Sequence, residues 1–297
     1  MAKRGWCRNG MWLQMLGLLL MAGAVANAQP VYLLGTGYPP RDTALYNALT
    51  AQGFQVTLGV PYRDFDGSQD LSQYQVVVLA GAGNYDDMPL SGQDVLKNWV
   101  RGGRGLVTLE WSIWATGRGV NNFLRLRDLF PAVYNGIAGY RPSIQYSRVV
   151  SDPVLDQGLP PTLMLGEGNE ATLWIKPGAV GYYVSDYRSG ATGVAGWEYQ
   201  GGRVISLSVA PGYAQDPMPQ NPTFRQLFAN AVRWAANLRC TPTDGDTNRD
   251  GCVDDADLLT VLFAFGVTGP GDADVNCDGL VDDADLLTVL FRFGTGC

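Results

Sequence analysis

An acidic segment near the end of the chain occurs twice, and this repeat restricts the fold more than any other feature. Asp254–Phe263 recurs with an identical sequence at Asp282–Phe291, in the same register within two longer acidic stretches. A repeat of this kind predicts two equivalent structural units. A solvated acidic linker, the alternative, would not need the same residue types at the same positions.

Each copy closes a loop of twelve positions with oxygen-bearing side chains at positions 1, 3, 5, 9 and 12. Calcium binds six to eight oxygens, and such a loop supplies them from these side chains and from the carbonyl of position 7, with glycine at position 6 for the sharp turn. Gly251 and Gly279 occupy position 6. We therefore predict two calcium ions, whose ligands are Asp246, Asn248, Asp250, Cys252, Asp254 and Asp257 in the first loop and Asp274, Asn276, Asp278, Leu280, Asp282 and Asp285 in the second.

A helical pattern follows each loop, but none precedes it. The spacing of the apolar residues predicts one buried stripe per helix, formed by Leu258, Leu259, Leu262 and Phe263 and by Leu286, Leu287, Leu290 and Phe291. Val253 and Val281, at loop position 8, are expected to face the same small core. One short helix cannot bury its stripe alone, so the two copies should pack together.

A loop followed by a helix, twice, with Asp at position 12, resembles the dockerin type I domain from Asp246 to about Phe293. The resemblance implies a cohesin domain on a scaffold or surface protein as partner, and a place in extracellular polysaccharide breakdown. Recognition residues in that family often lie at loop positions 10 and 11, here Asp255, Ala256, Asp283 and Ala284. Hydroxyl residues are frequent at these positions in the family, and this chain has none there. A purely structural calcium module without a cohesin partner is therefore the alternative.

The start of the chain has the pattern of a secretory signal. Lys3, Arg4 and Arg8 precede an apolar run, and Ala26-Asn-Ala28 provides a cleavage site. The run is too short for a full membrane span. We expect cleavage after Ala28, a secreted mature protein and no later membrane span, with domains at residues 1–28 (signal), 30–238 and 240–297.

Charge and cysteines are concentrated in the tail. Residues 240–297 contain twelve Asp against Arg249 and Arg292, which argues against nucleic acid as a partner. The tail also holds four of the five cysteines, which in an exported module predict two disulfides rather than metal thiolates. If the two helices are antiparallel, Cys297 pairs with Cys240 or Cys252, and this choice stays open. The four cysteines are Cys240, Cys252, Cys277 and Cys297.

Residues 30–238 alternate strand and helix patterns. The N-terminal half predicts strands at Val31–Leu34, Phe54–Leu58, Tyr74–Ala80 and Leu106–Leu109 and helices at Asp42–Gln52 and Ser91–Val100. The second half is strand-rich from Arg148 to about Val209, followed by a helix at Pro222–Asn237 with Asn221 as N-cap. We therefore predict an α/β fold: a flavodoxin-like parallel sheet with flanking helices and a strand-rich second half, then a small all-α duplicated calcium-loop (F-hand) module.

Several segments of this domain resemble class I glutamine-amidotransferase-like folds, and ThuA-like members in particular. They are Leu96–Val107, Gly201–Ser208, Asn221–Arg225 and Asn230–Ala236. Amidotransferases carry a cysteine nucleophile after the strand that ends here at Leu109, with a distant His and Glu. Glu110-Trp111-Ser112 follows that strand instead. The domain has no cysteine and the chain no histidine, so such a triad is excluded.

Polar and aromatic residues at the carboxyl ends of these strands are candidates for a ligand pocket. Trp111 or Trp114 would stack on a sugar ring, with Asn84 and Glu110 as hydrogen-bonding groups. In the alternative, the glycines at positions 35, 37, 81 and 83 only make turns and the tryptophans cover the sheet. Glu110 paired with Asp86 or Asp87 would provide a glycosidase dyad. Ser112 as nucleophile has only Lys97 as a nearby base. The domain is expected to bind carbohydrate or to be non-catalytic.

Overall fold

The computed structural model describes residues 30–81, 86–117, 122–236, 245–248, 250–267, 273–276 and 281–297. The predictions for the signal segment 1–28, Asn84, Cys240, Cys277, Asp278, Gly279 and Leu280 lie outside these residues. None of the described helices is long and apolar enough to span a membrane.

A single mixed sheet forms the N-terminal domain. In chain order its strands are β1 (Pro30–Gly35), β2 (Gln55–Pro61), β3 (Val76–Leu79), β4 (Gly105–Leu109), β5 (Ala132–Arg148), β6 (Thr162–Ile175), β7 (Val180–Ser185), β8 (Thr192–Tyr199) and β9 (Gly202–Leu207). The helices of this domain are α1 (Pro39–Thr50), α2 (Leu90–Arg101), α3 (Ser112–Gly117) and α4 (Pro222–Ala235). The strand order is β2-β1-β3-β4-β9-β8-β6-β5-β7.

The first five strands in that order are parallel, which confirms the predicted flavodoxin-like sheet. β3 and β4 are buried along their whole length, as near-continuous apolar strands covered on both faces should be. One face is covered by α1 and α4, and the other by α2 together with the segment around Phe123 and Phe130. Asn221 is the N-cap of α4, as predicted, since its side chain accepts from the Phe224 N–H at 3.1 Å.

The strand-rich half begins earlier than predicted. We expected strands only from Arg148 onward, whereas β5 begins at Ala132 and pairs with β6 in a long antiparallel hairpin. β5 contains Gly136 and Gly139, its register shifts between Tyr134 and Ala138, and much of it is exposed. Because neither face is continuously buried, the apolar alternation by which a strand is recognised is missing.

Two short helices follow in the tail, α5 (Asp255–Phe263) and α6 (Asp283–Arg292). Each begins with a capping box, in which the N-cap Asp and the Asp at the third helical position bond each other's backbone N–H. The N-caps are Asp254 and Asp282. The helices contact each other, and Val253 and Val281 are buried between them, as expected.

The predicted apolar stripe of these helices was right at Leu258 and Leu286, which pack against the tail core, and wrong at its other positions. The buried face of α5 carries Leu258 and Val261, whereas Leu259 and Phe263 are 47% and 73% exposed. α6 repeats this arrangement, with Val289 buried and Phe291 82% exposed. Both faces of such an apolar helix satisfy helical spacing, so periodicity alone does not choose between them. The exposed apolar residues of the two helices are Leu259, Leu262, Phe263, Leu287, Leu290 and Phe291.

Candidate functional site

The turns after β1, β3 and β4 lie at one edge of the sheet, where ligands of parallel sheets bind. After β1, Asp42 of α1 holds the turn by accepting from the Thr36 N–H at 2.7 Å and from the Gly37 N–H at 3.0 Å. A Cβ on Gly35 would lie 2.6 Å from Asp42 Oδ2. This turn is therefore a packed structural element rather than an open loop.

The turn after β3 packs directly on the turn after β4. Gly81 has φ of +93°, and a Cβ there would lie 2.5 Å from the Trp111 nitrogen. Only glycine combines this backbone conformation with so close an approach. Gly81 therefore fixes the backbone of Glu110 and Trp111 from one side.

Glu110 is completely buried at the position after β4. Its Oε2 accepts from the Trp114 N–H at 3.0 Å, whereas Oε1 has no hydrogen-bond partner among the residues described. Burial raises the pKa of Glu110 to about 8, against the opposing effects of nearby backbone N–H groups and Arg41. The side chain is therefore mostly protonated at neutral pH.

Arg41, in the first turn of α1, is the buried cation beside Glu110. Its Nη2 donates to the Glu110 carbonyl at 3.0 Å and its Nε to the Pro211 carbonyl at 3.0 Å, whereas Nη1 meets no acceptor in the described part of the chain. Burial lowers the pKa of Arg41 to about 10, which leaves it charged at neutral pH. We did not predict this residue, which follows Gly37 by four positions and which no sequence pattern marks as part of the site.

An aromatic cluster covers these two side chains. The Trp111 ring lies 5.5 Å from that of Trp114 and 5.3 Å from that of Tyr213, and the Arg41 guanidinium lies 6.0 Å from the Tyr213 centroid. Trp111 is only 7% exposed, and its Nε1 has no partner among the described residues. Trp111 is thus part of the core in this conformation, as in the alternative we considered, but it keeps a buried donor.

The segment after β9 closes the site from above. Gly212, Ala214 and Gln215 all have positive φ, at 72°, 54° and 64°. Such conformations are strained for the two non-glycine residues, and strain of this kind is concentrated at functional sites. Next to them Asp216 accepts from the Gly212 and Met218 N–H groups through Oδ1, whereas its Oδ2 has no partner in the described residues. Burial raises the pKa of Asp216.

A cavity of about 270 Å³ lies beside this segment. Its wall includes Glu167 on the β6 side and Met218 and Asn221 on the other. Glu167 also accepts a hydrogen bond from the Tyr140 hydroxyl. Glu167 is therefore a second carboxylate near Asp216, and the sequence did not indicate it.

A buried polar chain runs across the neighbouring strands. The Ser208 hydroxyl donates to Glu170 at 2.9 Å and lies 2.7 Å from the Tyr146 hydroxyl, and Arg141 pairs with Glu170 at 3.0 Å. Glu170 is satisfied by these groups, although burial raises its pKa. The chain has the properties of a structural network, and we assign it no ligand.

Other predicted catalytic groups are engaged elsewhere. The Ser112 hydroxyl donates to the Leu109 carbonyl at 2.7 Å, and Lys97 pairs with Asp128 at 2.6 Å, so Lys97 is not the base for Ser112. Asp87 accepts from the backbone N–H groups of Met88 and Phe123. Asp86 lies 3.6 Å from Arg63.

In the first tail loop, carboxylates mainly accept backbone N–H groups. Asp257 accepts from Thr247 at 2.7 Å and from Asp254 at 2.9 Å, while Asp246 Oδ2 accepts from Gly251 at 3.0 Å. Asp246 Oδ1 is buried without a partner in the described residues. Across the described ranges, no three His, Cys, Asp or Glu residues form a group that could hold a metal ion.

The tail also contains a disulfide. Of the two partners that we left open for Cys297, the structure joins it to Cys252, which lies 45 residues earlier. In addition, the Gly294 N–H donates to the Val253 carbonyl and the Val253 N–H to the Thr295 carbonyl. The end of the chain is therefore tied to the first loop.

Comparison with known proteins identifies the fold of the N-terminal domain and nothing finer. No family model and no curated protein matches the chain. A ThuA-like protein of Parabacteroides merdae matches with a TM-score of 0.55 at 14% identity, over 71% of this chain and 90% of that one. A cytoplasmic protein of Salmonella typhimurium matches with a TM-score of 0.52 at 15% identity, over 70% and 98%.

A third similar structure belongs to a larger enzyme. The β-galactosidase of Bacillus circulans sp. alkalophilus matches with a TM-score of 0.50 at 14% identity, over 70% of this chain but 31% of that one. At these identities the likeness shows the fold alone. The N-terminal domain therefore has a ThuA-like fold, as its sequence segments suggested.

Proposed function

We propose that this protein is a secreted carbohydrate-binding accessory protein. Its N-terminal domain binds part of a polysaccharide without hydrolysing glutamine, and its tail binds two calcium ions and docks to a cohesin domain. The signal pattern at residues 1–28 and the disulfide of the tail support export. Polysaccharide breakdown outside the cell is the process that the dockerin resemblance implies.

The observation that carries the carbohydrate assignment is a set of buried polar atoms without partners at one edge of the sheet. The donors are Arg41 Nη1 and Trp111 Nε1, Asp216 Oδ2 is an acceptor, and Glu110 Oε1 donates when it carries the proton of the carboxyl group. Buried polar groups are nearly always hydrogen-bonded, so unpaired ones need a ligand or ordered water. Sugar hydroxyls both donate and accept, and they match a mixed set of this kind.

Binding tests this assignment directly. Isothermal calorimetry of the full chain against soluble oligosaccharides should show binding, and Trp111→Phe should weaken it because the indole N–H is lost while the ring is largely kept. Trp174→Phe, which changes a half-exposed tryptophan on β6, is the matched control. Unchanged binding in Trp111→Phe would contradict the assignment.

The tail residues suit calcium through their oxygen-only donor set and the unpartnered Asp246 Oδ1. The ligands would be the side chains and carbonyls that we predicted from the repeat. The bound ions would add their binding free energy to folding of the tail. Calorimetry should find two sites, and Asp250→Ala combined with Asp278→Ala should remove both.

The docking surface would be the exposed apolar face of α5 and α6. Asp255 and Ala256 lie exposed at the start of that face on α5, as Asp283 and Ala284 do on α6. Failure of the full chain to bind any cohesin of its source organism would favour a purely structural calcium module.

A glycan hydrolase is the second candidate, and the raised pKa of Glu110 is the observation that favours it. A carboxyl group that stays protonated at neutral pH has the property required of a general acid. Glu110→Gln should then abolish hydrolysis of a chromogenic glycoside. Hydrolysis that persists in this variant would exclude the candidate.

A further inference from the structure

The Arg41 guanidinium is a buried cation with no carboxylate oxygen within ion-pair distance among the described residues, although Asp42 and Asp216 attract it from further away. Both hydrogen bonds that it makes with described residues go to backbone carbonyls, and it forms no ion pair with a described carboxylate. A buried charge left unpaired carries a large desolvation cost. This side chain is therefore prepared for an anion that arrives from outside the chain.

Two of the three carboxyl groups around Arg41 are occupied or neutral. Asp42 accepts hydrogen bonds through both carboxylate oxygens, from the Thr36 N–H and from the Gly37 N–H. Glu110 is mostly protonated at neutral pH, because burial raises its pKa to about 8. Asp216 is the third acid: its Oδ1 accepts two backbone N–H groups, whereas its Oδ2 has no partner among the described residues.

Donors outnumber acceptors among the unpaired groups here, where Asp216 Oδ2 is an unpaired acceptor. Arg41 Nη1 and Trp111 Nε1 are unpartnered donors within the described residues. The proton of Glu110 supplies a third donor, since Oε2 already accepts from Trp114 and Oε1 is unpaired. Three donors around one buried positive charge suit a carboxylate, which has two oxygens and accepts only.

Access to this site depends on the segment Pro211–Gln215. Pro211 accepts from Arg41 Nε, the Tyr213 ring lies over the guanidinium, and a Cβ on Gly212 would lie 3.2 Å from Arg41 Cγ. The same segment contains the strained residues Ala214 and Gln215. Its displacement would relieve that strain and open the site.

We propose that the ligand carries a carboxylate, as in a uronic acid residue of an acidic polysaccharide, and that Arg41 binds this group when the Pro211–Gln215 segment moves aside. The proposal rests on carbohydrate binding at this edge of the sheet and specifies the class of sugar. Arg41 is then a residue that determines specificity, through its charge and its unpaired Nη1.

The test compares an acidic sugar with its neutral counterpart. The full chain is titrated with oligogalacturonate and with the methyl ester of the same oligomer, which differs only at the carboxylate. We expect the acid to bind at least about tenfold more tightly. Equal binding of the two would overturn the proposal and leave carbohydrate binding intact, whereas binding of neither would overturn both.

Variants locate the effect at Arg41. Arg41→Gln should reduce the preference for the acid to less than about twofold while the ester still binds. Arg125→Gln, which removes an exposed arginine paired with Asp94, is the charge-matched control and should keep the preference. A preference that survives in Arg41→Gln would contradict the assignment.

A further arm completes the test. Sodium acetate separates a simple anion site from a sugar site, because equally tight binding of acetate would overturn the assignment to a sugar. The comparison of acid and ester in the unmodified protein needs no variant, so the proposal stays testable even if Arg41→Gln does not fold.

Discussion

Glu110 contributes to how the stability of the protein responds to pH. In the folded state it keeps its proton up to about pH 8, whereas an unfolded glutamate releases it near 4.5. The folded state therefore binds more protons between these values. The contribution of Glu110 to stability is greatest below this window and declines as pH rises through it.

The first prediction concerns that decline. Glu110→Gln should remove a fall in the free energy of unfolding of at most about 1.4 kcal/mol per pH unit between about pH 4.5 and 8. Urea unfolding of the N-terminal domain at several pH values in that range measures the slope. Glu198→Gln, which changes an exposed carboxylate, should keep the slope. Parallel slopes in the wild type and Glu110→Gln would show that Glu110 ionises normally.

Gly81 provides a second test at a single residue. Gly81→Ala should destabilise the domain by more than about 2 kcal/mol, because it adds a clash with Trp111 to the cost of a positive φ. Gly53→Ala has the same sign of φ but nothing within 4 Å, so it should cost about 1 kcal/mol. Urea unfolding measures both losses of stability. Equal losses in the two variants would contradict the close packing of Gly81 on Trp111.

Only part of the site was predictable at this scale. Glu110 and Trp111 could be found because they directly follow a recognisable apolar strand. Arg41 and Asp216 could not, since they come from the start of α1 and from an irregular segment after β9, and only the closed sheet brings them near Glu110. Such contacts between distant segments leave no periodic pattern in a single sequence.

At the scale of elements, parallel strands were easier to predict than the hairpin. β3 and β4 are buried on both faces, so their sequences are almost wholly apolar. β5 is exposed over much of its length and contains glycines, and it gave no strand pattern. For α5 and α6 the start residues were clear, but the buried face depends on Val253 and Val281 in the loops and not on the helices themselves.

The third prediction tests that buried face. Val261→Ala should destabilise the tail by about 1–2 kcal/mol, because it removes methyl groups from a fully buried side chain. Leu259→Ala should change stability by less than about 0.5 kcal/mol, because Leu259 is half exposed. Calorimetric unfolding of the full chain measures the transition of the tail. A larger loss of stability in Leu259→Ala than in Val261→Ala would instead support the apolar stripe predicted from the sequence.

At the scale of the whole molecule, one covalent bond closes most of the tail into a ring. Cys252 and Cys297 are 45 residues apart, and a cross-link over such a distance restricts the unfolded chain strongly. The small core between α5 and α6 consists largely of valines and contributes little burial of its own. The disulfide is therefore a main source of stability for this region.

The fourth prediction follows from that bond. Cys297→Ser should lower the free energy of unfolding of the tail by about 4 kcal/mol through the regained freedom of the unfolded chain. Cys252→Ser should cause the same loss, and the double variant no more than either alone. Calorimetry of the full chain measures all three. An additive loss in the double variant would show that these cysteines are not paired with each other.

The order of strands also has a consequence for how the domain is made. β9 lies between β4 and β8, although it is the last strand of the sheet to be synthesised. Until residues 202–207 are available, the parallel half ends in an unpaired β4 edge and the antiparallel half in an unpaired β8 edge. The nascent chain thus assembles cooperatively only after nearly the whole domain has left the ribosome, and a fragment that stops short of β9 would be prone to aggregation.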